Sequence, residues 1–186
     1  LSEYASDKAR RIIKPILEIL AGIPTIVFGF FALTFVTPVL RTIIPALDSF
    51  NSVSPGIVVG IMIVPVITSM SEDAMASVPN KIREGAYGLG STKFEVATKV
   101  VLPAAASGVV ASIVLGISRA IGETMIVSLA AGSSPTASLN LTNSIQTMTG
   151  YIVEVATGDA TFGSDMYYSI YAVGFTLFIV TLIMNL

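Results

Sequence analysis

The chain has 186 residues, of which 53% are hydrophobic and only 12% are charged, and its formal net charge is −2 at pH 7. A soluble domain of this size usually carries about twice that fraction of charged residues, and the near-neutral balance argues against nucleic acid as a partner. Cysteine and histidine are both absent, which excludes disulfides, thiolate chemistry and nearly every zinc or haem site. We therefore predict no metal site and no catalytic residue. Because the sequence starts without a methionine and stops inside an apolar run, we expect a fragment of a longer protein, incomplete at its N-terminus.

Four mostly apolar stretches contain no Asp, Glu, Lys or Arg, and each is close to the ~20 residues that a helix needs to cross a bilayer. In chain order they are Ile19–Leu40, Ser49–Ser71, Val100–Ser118 and Met166–Leu186. A soluble helical bundle would carry charges on its wet face at every turn or two, and inside a membrane the helix is the expected form. The predicted fold class is all-α: a polytopic transmembrane helical bundle with four spans, forming one domain over residues 1–186.

The basic residues predict the orientation of these spans. One group precedes the first span and the other lies between the second and third spans: Lys8, Arg10, Arg11 and Lys14, then Lys81, Arg83, Lys93 and Lys99. By the positive-inside rule both segments are cytoplasmic, and the two spans between them agree with that. The polar, uncharged stretch Ser133–Gly150 predicts an outward loop, with a short helix through Ile145–Val155.

The cytoplasmic loop contains the most informative pattern, which runs from Glu84 to Pro103. Thr92 and Glu95 have the spacing of a capping box, so a helix is predicted to begin after Gly90. Pro103 fits the first turn of the next membrane helix, where a missing N–H costs nothing. The pattern therefore predicts two short helices joined at Gly90 and lying across the membrane surface. Three apolar side chains would be available to a partner: Leu89, Phe94 and Val100.

This segment resembles the EAA loop of ABC importer permeases, the binding-protein-dependent transport permeases with a MetI-like fold. The family pattern is Glu-Ala-Ala, a Gly six residues after the Glu, and then Ile-x-Leu-Pro. The positions that correspond to it here are Glu84, Gly85, Ala86, Gly90, Val100, Leu102 and Pro103, with Gly85 in place of the first Ala and Val100 in place of the Ile. The resemblance implies a coupling loop over residues 72–103 that docks on a separate ATPase subunit. That subunit would bind ATP, and this chain would bind no cofactor. Without the resemblance, a solvated amphipathic loop is the alternative.

Arg119 and Glu123 are charged residues within an otherwise apolar stretch, four positions apart. On one continuous helix they share a face and can pair, and Arg119 would lie roughly 22 Å along the helix from Ala104. Charges at such depth usually mark a pathway or a partner. Arg119 would offer a charged fork to an oxyanion in the pathway. Glu123 would hold Arg119 when the pathway is empty and would accept the proton of hydrogen phosphate. If the span instead ends near Ser118, with a break at Gly122, both residues lie at the outer interface.

Further stretches resemble the PstC type of phosphate permease in this family. They are Leu17–Gly29, Ser71–Ala74, Arg119–Met125 and Ile145–Thr149. The sister PstA type usually reads Gly-Glu-Thr-Ala-Pro at the charged site, so Met125 favours PstC. The resemblance implies import of inorganic phosphate across the bacterial cytoplasmic (inner) membrane. Its partners would be a PstA-like second permease subunit, PstB-like ATPase subunits and a periplasmic PstS-like phosphate-binding protein.

Other function classes remain to be weighed against a phosphate permease. A permease for sulfate or molybdate, or a PstA-type subunit, would carry the same loop. An intramembrane enzyme would need a nucleophile and a base on facing helices, yet no Lys or Asp lies within a predicted span. A passive channel has no use for a coupling loop. The chain has no Gly-rich Lys-Ser/Thr motif that cradles phosphates, so it is not itself the ATPase.

Overall fold

The computed structural model describes residues 2–135, 140–158 and 160–186, and within those ranges every regular element is a helix. The predicted all-α fold is confirmed. In chain order the helices are α1 (Asp7–Ala21), α2 (Thr25–Ile43), α3 (Val53–Ala76), α4 (Asn80–Gly88), α5 (Lys93–Ala104), α6 (Ala106–Ile121), α7 (Met125–Ala130), α8 (Met148–Thr157) and α9 (Asp165–Met184).

The predicted membrane spans correspond to α2, α3, α6 and α9. Within the described residues α2, α3 and α9 are each long and apolar enough to cross a bilayer. The helices α5 and α6 pass the same test only as a pair, and this pair is bent by 72°. The part of the chain that the structure describes therefore contains three candidate spans, or four if the bent pair counts as one.

The first span begins later than predicted. The prediction started it at Ile19, but that residue lies in α1, and α2 begins at Thr25. The break has two causes: Gly22 ends α1, and Pro24 holds extended backbone with φ −57° and ψ 135° ahead of α2. A search for charge-free stretches does not detect such a break, because Gly and Pro are uncharged.

The third span also differs from the prediction. The prediction that Pro103 lies in the first turn of this membrane helix is wrong, because α6 begins at Ala106 and Pro103 lies at the end of α5. Between them Ala105 has φ −95° and ψ 4°, which interrupts the helix and produces the bend.

Two helices contain a wider, π-helical turn shortly before a proline. In α2 this turn is Ala32–Val36, followed by Pro38, and in α5 it is Val96–Val101, followed by Pro103. A proline has no N–H to donate, and its ring clashes with the carbonyl four residues earlier. We attribute the widened turns to relief of that clash. Pro65 lies within a regular stretch of α3, so a proline does not by itself require such a turn.

The chain forms two compact units, and the first comprises residues 1–22 and 63–117. In this unit α3 and α6 pack closely: a Cβ atom added to Gly108 would lie only 2.5 Å from the Cβ of Ala74. The hydroxyls of Ser71 and Ser112 are 2.6 Å apart at the same contact. Small residues allow this approach of two backbones, as in other packed membrane helices. The apolar core of the unit contains Val78, Val96, Val101 and Ala105, with Ala74, Met75, Ala86 and Val109 packed against them.

The second unit comprises residues 23–62 and 118–186. Here α2 packs against α7 at Gly29, where an added Cβ would lie 2.7 Å from Leu129 Cδ1 and 3.1 Å from the carbonyl oxygen of Met125. The helices α8 and α9 are linked by a hydrogen bond of 2.6 Å between the hydroxyls of Tyr151 and Ser169. These contacts join the short helix α7 to a candidate span and place α8 against another.

The polar stretch predicted over Ser133–Gly150 contains residues 136–139, which lie outside the described residues. The short helix predicted over Ile145–Val155 is confirmed as α8, although it begins three residues later, at Met148. The start is fixed by Thr147, whose hydroxyl oxygen accepts a hydrogen bond of 3.0 Å from the backbone N–H of the third residue of α8. Side-chain capping of this kind commonly decides where a helix begins.

Candidate functional site

The turn between α4 and α5 has the geometry that the sequence predicted. Gly90 has φ +84°, a left-handed conformation that favours glycine. Thr92 and Glu95 form the predicted capping box: the Thr92 hydroxyl oxygen accepts from the Glu95 N–H at 3.3 Å, and Glu95 Oε2 accepts from the Thr92 N–H at 3.1 Å. The prediction of two short helices joined at Gly90 is confirmed.

The carboxylate of Glu95 is stabilised in its charged form. The pKa of Glu95 is lowered to about 2, first by the hydrogen bond from the Thr92 backbone and then by Lys99, whose Nζ lies 3.0 Å from Glu95 Oε1. Charged residues on successive turns of α5 place its first half outside the hydrocarbon region of a membrane. The start of α5 therefore keeps its cap throughout the physiological pH range.

The residues of the EAA-like pattern are mostly at the surface of the first unit. Leu89 and Phe94, on either side of the Gly90 turn, are 90% and 64% exposed, as predicted for side chains that await a partner, whereas Val100 is half-buried. Ala86 packs against the apolar core. The other pattern residues are exposed: Glu84, Gly85, Gly90, Leu102 and Pro103. The pattern thus presents two large apolar side chains at one tight turn.

Arg83 is a structural residue that the sequence analysis treated only as a positive charge. Its guanidinium donates to the carbonyl of Met75 at 2.7 Å and to the carbonyl of Val78, so it caps the end of α3. It also donates to Glu3 Oε1 at 3.1 Å and to Asn80 Oδ1 at 3.2 Å. The side chains of Arg83 and Glu3 are only 13% and 9% exposed. No local pattern predicts the contact with Glu3, which is 80 positions away in the sequence.

A second ionic contact fixes α1 to α3. Glu72 is buried, with a side-chain exposure of 3%, and forms an ion pair with Arg10. Lys14 Nζ lies 3.8 Å from Glu72 and donates a hydrogen bond of 2.7 Å to Asp73 Oδ1. That hydrogen bond raises the pKa of Lys14, although partial desolvation opposes it. The polar side of α1 is therefore held against the end of α3.

The predicted pathway residues Arg119 and Glu123 do not share a helix. Arg119 lies in the last turn of α6, which ends at Ile121, and Glu123 follows the break at Gly122. Glu123 Oε1 accepts hydrogen bonds from the backbone N–H groups of Met125 at 3.1 Å and Ile126 at 3.3 Å. Within the described residues Glu123 forms no ion pair with Arg119, so the expected pairing is not formed. Glu123 instead caps the start of α7, and Arg119 is an exposed residue.

The break after α6 is also held from α8. Glu123 is buried, with 7% exposure, and its backbone carbonyl accepts a hydrogen bond of 2.9 Å from the Thr149 hydroxyl. The segment that follows Arg119 is thus fixed by one carboxylate and one hydroxyl. The contact of Thr149 with Glu123 was not predicted, because no local sequence pattern links two residues 26 positions apart.

The comparisons with known proteins assign the family. A sequence profile of the family described as "binding-protein-dependent transport system inner membrane component" matches residues 1–186. The chain belongs to this family. The resemblance based on the EAA-like loop is thereby confirmed, and the family match together with the apolar helices makes the chain a multi-pass membrane protein.

Several curated proteins are similar over most of the chain. It is 33% identical over 181 residues to the probable ABC transporter permease protein YqgH of Bacillus subtilis strain 168, covering 97% of this chain and 58% of that protein. It is 34% identical over 201 residues to the phosphate transport system permease protein PstC of Xylella fastidiosa strain 9a5c, covering 97% and 61%. For PstC of Haemophilus influenzae the identity is 37% over 153 residues, covering 72% and 49%. The chain thus spans about three fifths of the length of the first two relatives.

Proposed function

We propose that this chain is the membrane-spanning part of a permease subunit that imports inorganic phosphate, in an ATP-driven ABC transporter of the bacterial inner membrane. The observation that carries the proposal is the similarity along nearly the whole chain to proteins named phosphate transport system permease protein PstC. The subunit would be a transport component and not an enzyme.

The surface turn supports a mechanical role for residues 72–103 on the cytoplasmic side. A docking element needs an apolar anchor and a rigid base. The exposed Leu89 directly follows α4, and the exposed Phe94 lies in the first turn of α5, on the other side of Gly90. The capping box at Thr92 fixes the start of α5, and the guanidinium of Arg83 holds α4 to the end of α3. A separate ATPase subunit would bind here, hydrolyse ATP and move this turn, so this chain needs no cofactor of its own.

The segment after α6 supports an oxyanion pathway past Arg119. An arginine presents a planar set of N–H donors that suits phosphate, and Arg119 is an exposed residue near the end of a largely apolar helix. It lies about 20 Å along the axis from Ala106, the first residue of α6. Because the carboxylate of Glu123 is engaged by two backbone N–H groups, it leaves Arg119 free to meet the anion.

The remaining partners of the transporter follow from the same proposal. They are a PstA-like second permease subunit, PstB-like ATPase subunits and a periplasmic PstS-like phosphate-binding protein. The N-terminal segment and residues 72–103 would face the cytoplasm, where the ATPase subunits dock. Residues 133–150 would then face the periplasm and the binding protein.

The test is ATP-dependent uptake of radiolabelled phosphate into vesicles that contain the full-length transporter, with sulfate as competitor. We expect excess sulfate to leave uptake unchanged. Arg119→Ala should abolish uptake while the subunits still co-purify, and Arg119→Lys should restore only part of it, because an ammonium lacks the planar fork.

The matched control is Arg41→Ala, which removes the other arginine of the same unit. Arg41 donates to Ser49 Oγ at 3.3 Å near the end of α2, and we expect its replacement to leave uptake close to wild type. If sulfate or molybdate inhibited uptake as strongly as unlabelled phosphate does, the permease would not be specific for phosphate. Full uptake by Arg119→Ala would contradict the role of Arg119.

A further inference from the structure

Helix α1 directs its polar side toward its own unit and its apolar side outward. Arg10 and Lys14 contact the end of α3 through Glu72 and Asp73. The exposed residues on the opposite side are Ile12 at 62%, Ile13 at 38%, Ile16 at 50%, Ile19 at 70% and Leu20 at 36%. At 3.6 residues per turn these five side chains occupy roughly a third of the helix circumference. This is the reverse of a helix that packs on an apolar core.

The ionic contacts prevent α1 from turning its apolar side inward. The Glu72 carboxylate is buried, and rotation of α1 would leave it without a cation, which is costly for a buried charge. In this orientation the apolar side of α1 requires an apolar environment outside the unit. A row of exposed isoleucines facing water would be a strong liability for aggregation.

The neighbouring sequence indicates which apolar environment this is. Only Gly22, Ile23 and Pro24 separate α1 from the candidate span α2, so the end of α1 lies within about 14 Å of the start of a membrane-crossing helix. Lys8 and Arg11 are both exposed. By helical spacing Lys8 lies at the edge of the isoleucine face, next to Ile19, and Arg11 lies on the polar side. An apolar face combined with basic residues is typical of helices that lie in the plane of a membrane surface.

We propose that α1 is an interfacial helix whose isoleucine face lies among lipid acyl chains while Lys8 and Arg11 bind the phosphates of anionic lipids. Arg11 also lines a cavity of about 360 Å³ together with Arg10, Lys14, Pro15 and Glu18. Glu18 opposes anion binding there, which limits the preference for anionic lipid. The proposal is independent of the solute that the permease transports.

The first test is quenching of a fluorophore on α1 in the full-length transporter. This sequence contains no cysteine, so Ile16→Cys is labelled uniquely once any cysteine outside it is replaced, and Glu18→Cys is the matched position on the polar side. The transporter is placed in nanodiscs of phosphatidylcholine and phosphatidylglycerol. We expect spin-labelled lipid to quench the label at position 16 and aqueous iodide to quench the label at position 18.

Two results of this test would overturn the acyl-chain contact. Iodide quenching at both positions would place the isoleucine face in water. A label at position 16 that neither quencher reaches would show that protein covers this face, either a second subunit or another segment of the full-length chain.

The second test addresses the headgroups by comparing quenching from spin-labelled phosphatidylglycerol and spin-labelled phosphatidylcholine. Each basic residue near an anionic surface contributes about fivefold to binding, so the double variant Lys8→Gln with Arg11→Gln should lower the preference for phosphatidylglycerol by at least that factor. Glu18→Gln should raise it. An unchanged preference for phosphatidylglycerol in the double variant would overturn headgroup binding. In the protein without substitutions, inorganic phosphate is compared with chloride at equal ionic strength. If only phosphate abolished the preference, the basic residues would bind free phosphate and not lipid headgroups.

Discussion

The hydroxyl of Thr149 donates a hydrogen bond of 2.9 Å to the backbone carbonyl of Glu123, although 26 positions separate the two residues. The contact is buried and joins the start of α8 to the break between α6 and α7. Glu123 lies four positions after Arg119. The packing of α8 therefore supports the segment next to the proposed anion contact at Arg119.

Thr149→Val should destabilise this segment. Loss of the hydroxyl leaves a buried carbonyl without its donor, which costs about 1–3 kcal/mol, while the side chain keeps nearly the same volume. The free energy of unfolding of the purified full-length permease, measured by denaturation in detergent, checks this. Thr149→Ser, which keeps the donor, is the control, and equal stability of the valine and serine variants would contradict the role of the hydrogen bond.

Two substitutions of Glu123 distinguish the effect of its capping hydrogen bonds from the effect of its negative charge. Gln keeps an oxygen acceptor for the N–H groups of Met125 and Ile126, whereas Ala removes it, so we expect Glu123→Ala to lose about 1 kcal/mol of stability and Glu123→Gln to lose less. The proton-acceptor role that the sequence predicts for Glu123 requires a carboxylate, so Glu123→Gln should nevertheless lower phosphate uptake. Wild-type uptake in a stable Gln variant would reduce Glu123 to a structural cap.

The sequence predicted the parts of the fold that local physics decides. The absence of charge located α2, α3 and α9, because a lipid environment leaves few alternatives to an apolar helix. The spacing of Thr92 and Glu95 located the start of α5 for a similarly local reason. The pairing of Arg119 with Glu123 was wrong, because it assumed a helix that continues through Gly122. The contacts of Arg83 could not be predicted, since Glu3 and Met75 approach it only in the folded chain.

Two glycines near the turn between α4 and α5 should respond oppositely to alanine. Gly90 has φ +84° with no atom near an added Cβ, so Gly90→Ala costs about 1–2 kcal/mol from backbone strain alone. Gly85 lies within α4 with equally open space, and Gly85→Ala should stabilise the helix by up to about 1 kcal/mol. Hydrogen exchange over residues 80–104 of the full-length permease measures both changes. Increased protection in Gly90→Ala would contradict the left-handed conformation.

The contact between α3 and α6 should tolerate an extra methyl group unequally. A Cβ at Gly108 would meet the Cβ of Ala74 at 2.5 Å, whereas one at Gly116 would meet the flexible end of Ile67 at 2.6 Å. Ala74 cannot rotate away, so Gly108→Ala should cost about 1–3 kcal/mol and Gly116→Ala less. Thermal unfolding in detergent compares them with Gly60→Ala, which has no atom within 4 Å of the added Cβ. If Gly116→Ala were the least stable of the three variants, α3 and α6 would not pack in this register.

Arg83→Gln should weaken the junction of the N-terminal segment, α3 and α4. The variant removes a charged cap from the carbonyls of Met75 and Val78 and leaves the carboxylate of Glu3 largely buried without its cation. Hydrogen bonds to charged groups contribute about 1.5–3 kcal/mol, and we expect a loss of stability in that range. Lys81→Gln, an exposed basic residue on the same helix, is the control and should change stability by less than about 0.5 kcal/mol.

A double variant divides this loss between its two causes. If the unpaired Glu3 carboxylate contributes, Arg83→Gln combined with Glu3→Gln should be more stable than Arg83→Gln alone, because the buried charge is gone. The stability that is not recovered then measures the cap at the end of α3. Additive losses from the two single substitutions would mean that Arg83 and Glu3 do not interact, and the N-terminal segment would then be held to its unit by the Arg10–Glu72 pair and not by Arg83.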